Sequence, residues 1–148
     1  MNTEINLRTY TGTKTIKATP MGASDAKHYG AQITEETIKK NISNPGYLVE
    51  YPDGYRSWSP KKAFEDAYRL SETYVDRLRI EHEDLKARYL KGQEFMYSEK
   101  FNILSVDEQE ALSVQMDLMR KYLFVLASRI KYAEAQEMKM NLKTTDHE

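Results

Sequence analysis

One stretch of this chain leaves little choice of structure. After Ser105, the residues Leu112, Met116, Met119, Leu123, Leu126, Ile130 and Ala133 recur at alternating spacings of four and three. Only an α-helix brings residues so spaced to one side, and a stripe with that repeat is the seam of a coiled-coil-like helix pair. The helix start is marked too. Ser105-Val-Asp-Glu108 is a capping box: the serine oxygen accepts a backbone N–H and the glutamate reaches back. A second seam runs beside the first through Ala111, Gln115, Leu118, Tyr122, Val125, Arg129 and Tyr132. A neighbouring helix of the same chain covers one seam. Two seams imply a further surface, either the strand module or another subunit.

The partner helix is expected from about Pro60 to about Lys91. Phe64, Ala67, Ser71, Tyr74, Leu78, Glu81 and Leu85 form its stripe, bordered by Tyr68, Val75, His82 and Tyr89. Gly92 is the expected stop. Residues 93–104 connect the two helices, with Phe95, Tyr97, Phe101 and Ile103 as apolar anchors.

The first third of the chain has a different rhythm. Ile5–Tyr10 alternates in part and Lys14–Met21 alternates again across Thr11-Gly12-Thr13, which predicts a hairpin. Thr34 is the expected N-cap of a short helix with acids in its first turn and lysines in its last. Tyr47–Tyr51 is the strongest strand, since aromatic and β-branched residues suit a pleated surface. Pro52-Asp53-Gly54 is a turn, and Tyr55–Trp58 returns as the partner strand. Ser59 is the expected N-cap of the helix that follows, with Pro60 in its first position. The fold class is therefore α+β: a small antiparallel β-module over residues 1–59, a long antiparallel helical hairpin over 60–142, and a disordered tail over 143–148.

Composition narrows the function. Charged residues make up 30% of the chain and mean hydropathy is -0.75, which is polar for a globule of 148 residues. Eleven tyrosines and one tryptophan argue against disorder and for long exposed helices. Lys+Arg of 22 against Asp+Glu of 23 give a formal charge of -1, so a generic nucleic-acid binder is not expected. The absence of cysteine excludes disulfides and thiolate chemistry and fits a cytoplasmic protein. No secretory signal and no apolar run of the roughly 20 residues needed for a membrane span are present.

No familiar catalytic constellation is visible. His28, His82 and His147 are scattered, with no metal-ligand spacing among them. There is no glycine-rich phosphate loop and no serine nucleophile motif. The paired acids Glu81, Glu83 and Asp84 interleave with Arg77, Arg79, Lys86 and Arg88, as on a solvated charged face. Neither an enzyme, a metal nor a cofactor is expected. A small anion is a better candidate ligand. Tyr55, Arg56 and Trp58 cluster at the strand-to-helix joint beside Lys61 and Lys62, where aromatic faces stack bases and arginine forks phosphate. The alternative is that Tyr55 and Trp58 glue sheet to helix. Arg120 and Lys121 lie off the main seam of the last helix. Arg129 lies inside the second seam and needs a partner, either a carboxylate of the first helix or a ligand phosphate at a subunit interface.

Two segments resemble phage proteins. Tyr10-Thr-Gly-Thr-Lys14 through Met21, followed by GYLVEYPDGYRSWSPKKAFEDAYR from Gly46, is similar to a widespread family of small phage proteins. Leu104-Ser105 through Gln115-Met-Asp-Leu-Met119-Arg-Lys-Tyr122 to Ser128-Arg129-Ile130 resembles the hairpin shared by the Thoeris anti-defence sponges and the anti-CBASS sponges. The β-module makes the Thoeris group the nearer likeness. The resemblance implies a protein of the infected bacterium's cytoplasm that binds immune signalling nucleotides without cleaving them. The implied ligands are cyclic ADP-ribose isomers, with cyclic di- or trinucleotides at separate sites. It also implies a homo-oligomer, in which dimers build larger rings such as hexamers. Carried over to this chain, it makes Arg120, Lys121 and Arg129 phosphate ligands and Tyr55, Arg56 and Trp58 contacts near the joint. The alternative is a structural or inhibitory hairpin acting through a host protein.

Overall fold

The computed structural model describes residues 4–145. The chain forms two compact units, Met1–Tyr68 and Arg69–Glu148. The first holds a three-stranded antiparallel sheet and the second a long helical hairpin, an α+β fold.

In the first unit the sheet order is β1 (Lys17–Pro20), β2 (Gly46–Glu50), β3 (Arg56–Pro60). β1 pairs with β2 so that Thr19 meets Leu48, and β2 pairs with β3 so that Leu48 meets Trp58. The turn between β2 and β3 closes as its residues demand. Tyr51 N–H donates to Tyr55 O at 2.9 Å, Asp53 accepts from Tyr55 N–H at 3.0 Å, and Gly54 takes the positive φ of 88°. Successive residues of β2 face opposite sides. Leu48 lies with Ala26 and Ala31 in a small core, packed by Met21, Ile33 and Trp58. Ala26 belongs to α1 (Ala23–His28), so that helix covers this face. On the other face the ring of Tyr47 stacks on Phe64 of α3 (Lys61–Ala67) at 4.0 Å. Thr34 caps α2 (Glu35–Lys40) as expected, accepting from Thr37 N–H at 3.2 Å.

Three expectations for this half are corrected. Residues 4–16 carry no strand, and Ile5, Leu7 and Tyr10 stand exposed. β1 pairs with β2 instead of forming the expected hairpin. Met21 N–H points at Gly46 O, so the neighbouring Pro20 turns its missing donor to the free edge, which discourages a further strand. Ser59 does not cap a helix. Its hydroxyl donates to Pro60 O, and Pro60 is both the last residue of β3 and the N-cap of α3. Nor is there one helix from Pro60 to Lys91. α3 ends at Ala67, and α4 (Tyr74–Met96) begins after a break. Ser71 and Thr73 are residue types that favour local side-chain bonds over helix. Thr73 and Asp76 form a full capping box that opens α4.

In the second unit α4 packs against α6 (Val106–Thr145), with the short α5 (Glu99–Ile103) between them. The Ser105 box forms, with Glu108 N–H donating to Ser105 Oγ at 3.3 Å and Ser105 N–H donating to Glu108 at 3.1 Å. All seven residues of the first α6 seam are buried or half-buried. The α4 stripe is not the expected one. Val75, Leu78, His82, Leu85, Tyr89, Gly92 and Met96 face inward, while Tyr74 and Glu81 are exposed. The two stripes share Leu78 and Leu85, and the covered one is the choice with fewer charges. Leu78, Leu85 and Leu126 form the core, packed by Met119, Leu123 and Ile130. Arg79 bridges to Glu134 at 2.9 Å on the flank. Gly92 does not stop α4. It lies against Met116, whose Sδ would be 2.5 Å from any Cβ placed there. α6 runs for 40 residues, about 60 Å of helix. It continues through residues 143–145, where a disordered tail is expected; residues 146–148 of that tail lie outside the described residues. The hydroxyls of Thr144 and Thr145 bond back to carbonyls of residues 140–142, as helical threonines do. Among the described residues no helix is long and apolar enough to cross a membrane.

Candidate functional site

The six sequence candidates divide equally between the units. In the sheet unit, Trp58 is committed to structure: its Nε1–H donates to Met21 O at 2.9 Å and its ring joins the Leu48 core. Arg56 is committed as well. Nη1 donates to Tyr29 O at 2.7 Å, and Nη2 pairs with Glu50, its cross-strand partner, at 3.2 Å. Tyr55 keeps an exposed ring, tilted against Tyr51 at 5.9 Å between centroids. Only one of these three presents a free surface.

In the hairpin, Arg120 and Lys121 converge on one carboxylate. Arg120 Nη2 lies 2.9 Å from Asp117 Oδ1, and Lys121 Nζ lies 2.9 Å from Asp117 Oδ2. Spacings of three and four residues on a helix put the three groups together. The hydrogen bonds from Lys121 and Arg120 hold the Asp117 carboxyl below its usual range, with their positive charges adding to the effect. Arg129 is exposed and makes no ion pair among the described residues, so the carboxylate partner expected for it on the first helix is not found.

Arg120 and Asp117 border a cleft of about 320 Å³ whose other walls are Tyr89, Gln93, Met96, Tyr97 and Met116. That volume lies at the small end of ligand sites. The cleft exists because of local chemistry on α4. Gly92, without a side chain, lets Met116 approach the helix, and Met116 forms part of the floor. Gln93 Nε2 donates to the Tyr89 hydroxyl at 2.9 Å, which fixes that ring. Tyr97, just past the helix end, is 92% exposed, and its ring is free to meet a ligand. Close by, Gln109 donates to Phe101 O at 3.1 Å and Leu104 O at 3.0 Å and so ties the start of α6 to the end of α5. Two aromatic rings, a primary amide, two thioethers and a guanidinium can together stack a base, bond its edge and hold a phosphate.

Of the six sequence candidates Arg120 alone lines this cleft, and Tyr89, Gln93, Tyr97 and Asp117 are not among the six. The spacing of Asp117 to Arg120 and Lys121 is a readable signal. The cleft itself is not, because it depends on Gly92 being a contact residue and not a helix stop.

The exposed side of α6 carries the second seam. Leu118 is 60% exposed, Val125 49% and Tyr132 67%. Tyr122 is tethered at its tip, its hydroxyl donating to Glu81 of α4. No curated protein and no solved structure matches this chain. The hairpin does match a family model: residues 72–132, which include every residue of the cleft, fit the family described as Sequestin, a name consistent with a sequestering protein.

Proposed function

We propose that this chain is a phage anti-defence protein that sequesters bacterial immune signalling nucleotides, chiefly cyclic ADP-ribose isomers, in the cytoplasm of the infected host and does not cleave them. The observation that carries this reading is the match of the hairpin to the Sequestin family over the segment that contains the cleft. The cleft chemistry supports it. Tight holding without turnover needs preorganised stacking and phosphate contacts, not a general base. Tyr89 is already oriented by Gln93, and Arg120 stands at the rim. Cyclic di- or trinucleotides are further candidate ligands. The uncovered second seam of α6 suits self-association, which would bring Arg129 to an interface beside a second copy's apolar residues.

The test is retention. The protein is incubated with cyclic ADP-ribose isomers and cyclic dinucleotides, freed of unbound ligand, and heat-denatured, and the released material is chromatographed. Intact messenger coming back is the expected result. Release of cleaved products would show an enzyme instead. The same seam favours a second reading, a hairpin that inhibits a host protein. That reading predicts no retained nucleotide and a stable complex with a host protein.

A further inference from the structure

Asp117 stands where a nucleotide sponge would be expected to have only positive charge. Both of its carboxylate oxygens are taken, Oδ1 by Arg120 and Oδ2 by Lys121, each at 2.9 Å. All three side chains remain about half exposed or more, so the pairs are of the weak surface kind and open readily to a competing anion. Asp117 and Arg120 also both line the cleft. Asp117 holds only Nη2 of the guanidinium, so a phosphate that takes Arg120 either displaces the carboxylate or lies beside it, and meets its charge in both cases.

We propose that Asp117 is a charge gate of this cleft: it competes with phosphate for Arg120 and Lys121 and so rejects highly charged linear nucleotides more strongly than cyclic messengers. This inference rests on the nucleotide-sponge reading and adds its selectivity. The physical basis is that repulsion by one fixed carboxylate grows in proportion to ligand charge. A messenger whose phosphates are all bridging carries one negative charge per phosphate, whereas ATP carries a further charge on its terminal phosphate and has more phosphates. ATP is also abundant in cytoplasm. Arg120 at the cleft and the neighbouring Lys121 would by themselves draw it in, whereas Asp117, paired to both, leaves that cluster a single net positive charge.

The experiment is isothermal titration of wild type and Asp117→Asn with cyclic ADP-ribose and with ATP, at low and high salt. Circular dichroism melting checks that the variant is folded. Asp117→Asn is expected to bind cyclic ADP-ribose roughly threefold more tightly and ATP roughly tenfold more tightly at low ionic strength, with both gains shrinking in high salt. Arg120→Gln is expected to weaken both ligands. If wild type binds the messenger but Asp117→Asn leaves its affinity unchanged or weaker, the gate is overturned and the sponge reading stands. An equal gain for ATP and for cyclic ADP-ribose likewise overturns the selectivity. If neither protein binds either probe, the cleft is not a site for these nucleotides, and both readings fall.

Discussion

Gly46 shows how a single missing side chain organises the sheet unit. A Cβ there would lie 2.4 Å from Ser59 O and 2.4 Å from the Trp58 ring. Neither neighbour yields easily, since one is backbone and the other is held by its bond to Met21 O. Gly46→Ala is expected to destabilise this unit by about 3 kcal/mol, the upper range for overpacking. The readout is urea unfolding followed by the fluorescence of Trp58, the chain's single tryptophan. An unchanged midpoint would mean that the strands separate without cost. The same contact explains the assignment of Trp58. Its residue type and neighbours in sequence suit a stacking platform and a core residue equally. The choice between them is made by Met21, distant in the chain, which offers the indole its acceptor.

At the scale of elements, the two capping boxes of the hairpin unit differ in how well they can be read. Ser105 to Glu108 stands directly before a seven-residue apolar seam and is legible from sequence. Thr73 to Asp76 obeys the same rule, but it sits inside a stripe that runs unbroken from Phe64 to Leu85. Periodicity says one helix there, and the cap says a new start. The cap prevails because Thr73 Oγ1 accepts from Asp76 N–H at 3.1 Å while Asp76 accepts from the N–H groups of Thr73 and Glu72 at 3.1 and 3.2 Å. Thr73→Ala is expected to cost the hairpin about 1 kcal/mol, measured by thermal melting in far-ultraviolet circular dichroism. A dependence on pH follows. The Asp76 carboxyl is held below its ordinary value, first by the Thr73 N–H and then by the Glu72 N–H, the Thr73 hydroxyl and Arg79, against a smaller opposing effect of burial. A carboxyl lowered on folding contributes stability that is full above its unfolded value and is lost as pH falls through the lowered one. The melting temperature should therefore drop on acidification below the normal carboxylate range, and Asp76→Asn should flatten that part of the profile. A variant with the wild-type acid slope would show that other carboxylates control it.

For the molecule as a whole, the open question is what covers α6. Its first seam is closed by α4, while Leu118, Val125 and Tyr132 of the second remain exposed. Leu118→Glu combined with Tyr132→Glu is expected to abolish self-association in sedimentation velocity while shifting hairpin stability by no more than about 0.5 kcal/mol per site, as for surface positions. A wild-type protein that sediments as a monomer would remove the argument. Sequence alone settles that α6 is a helix with two apolar stripes and that Tyr47–Tyr51 is a strand, because backbone geometry ties spacing to face. It also settles that the Pro52-Asp53-Gly54 turn forms, since those residues carry their own conformational preferences. It does not settle which of two adjacent stripes on α4 turns inward, whether Gly92 ends a helix or seats Met116, or that Tyr89, Tyr97 and Arg120 meet at one cleft. Periodicity says which residues share a face. Only the packing of a second element against that face selects the one to be buried, and so it is packing that leaves Asp117 and Arg120 at the edge of a cavity.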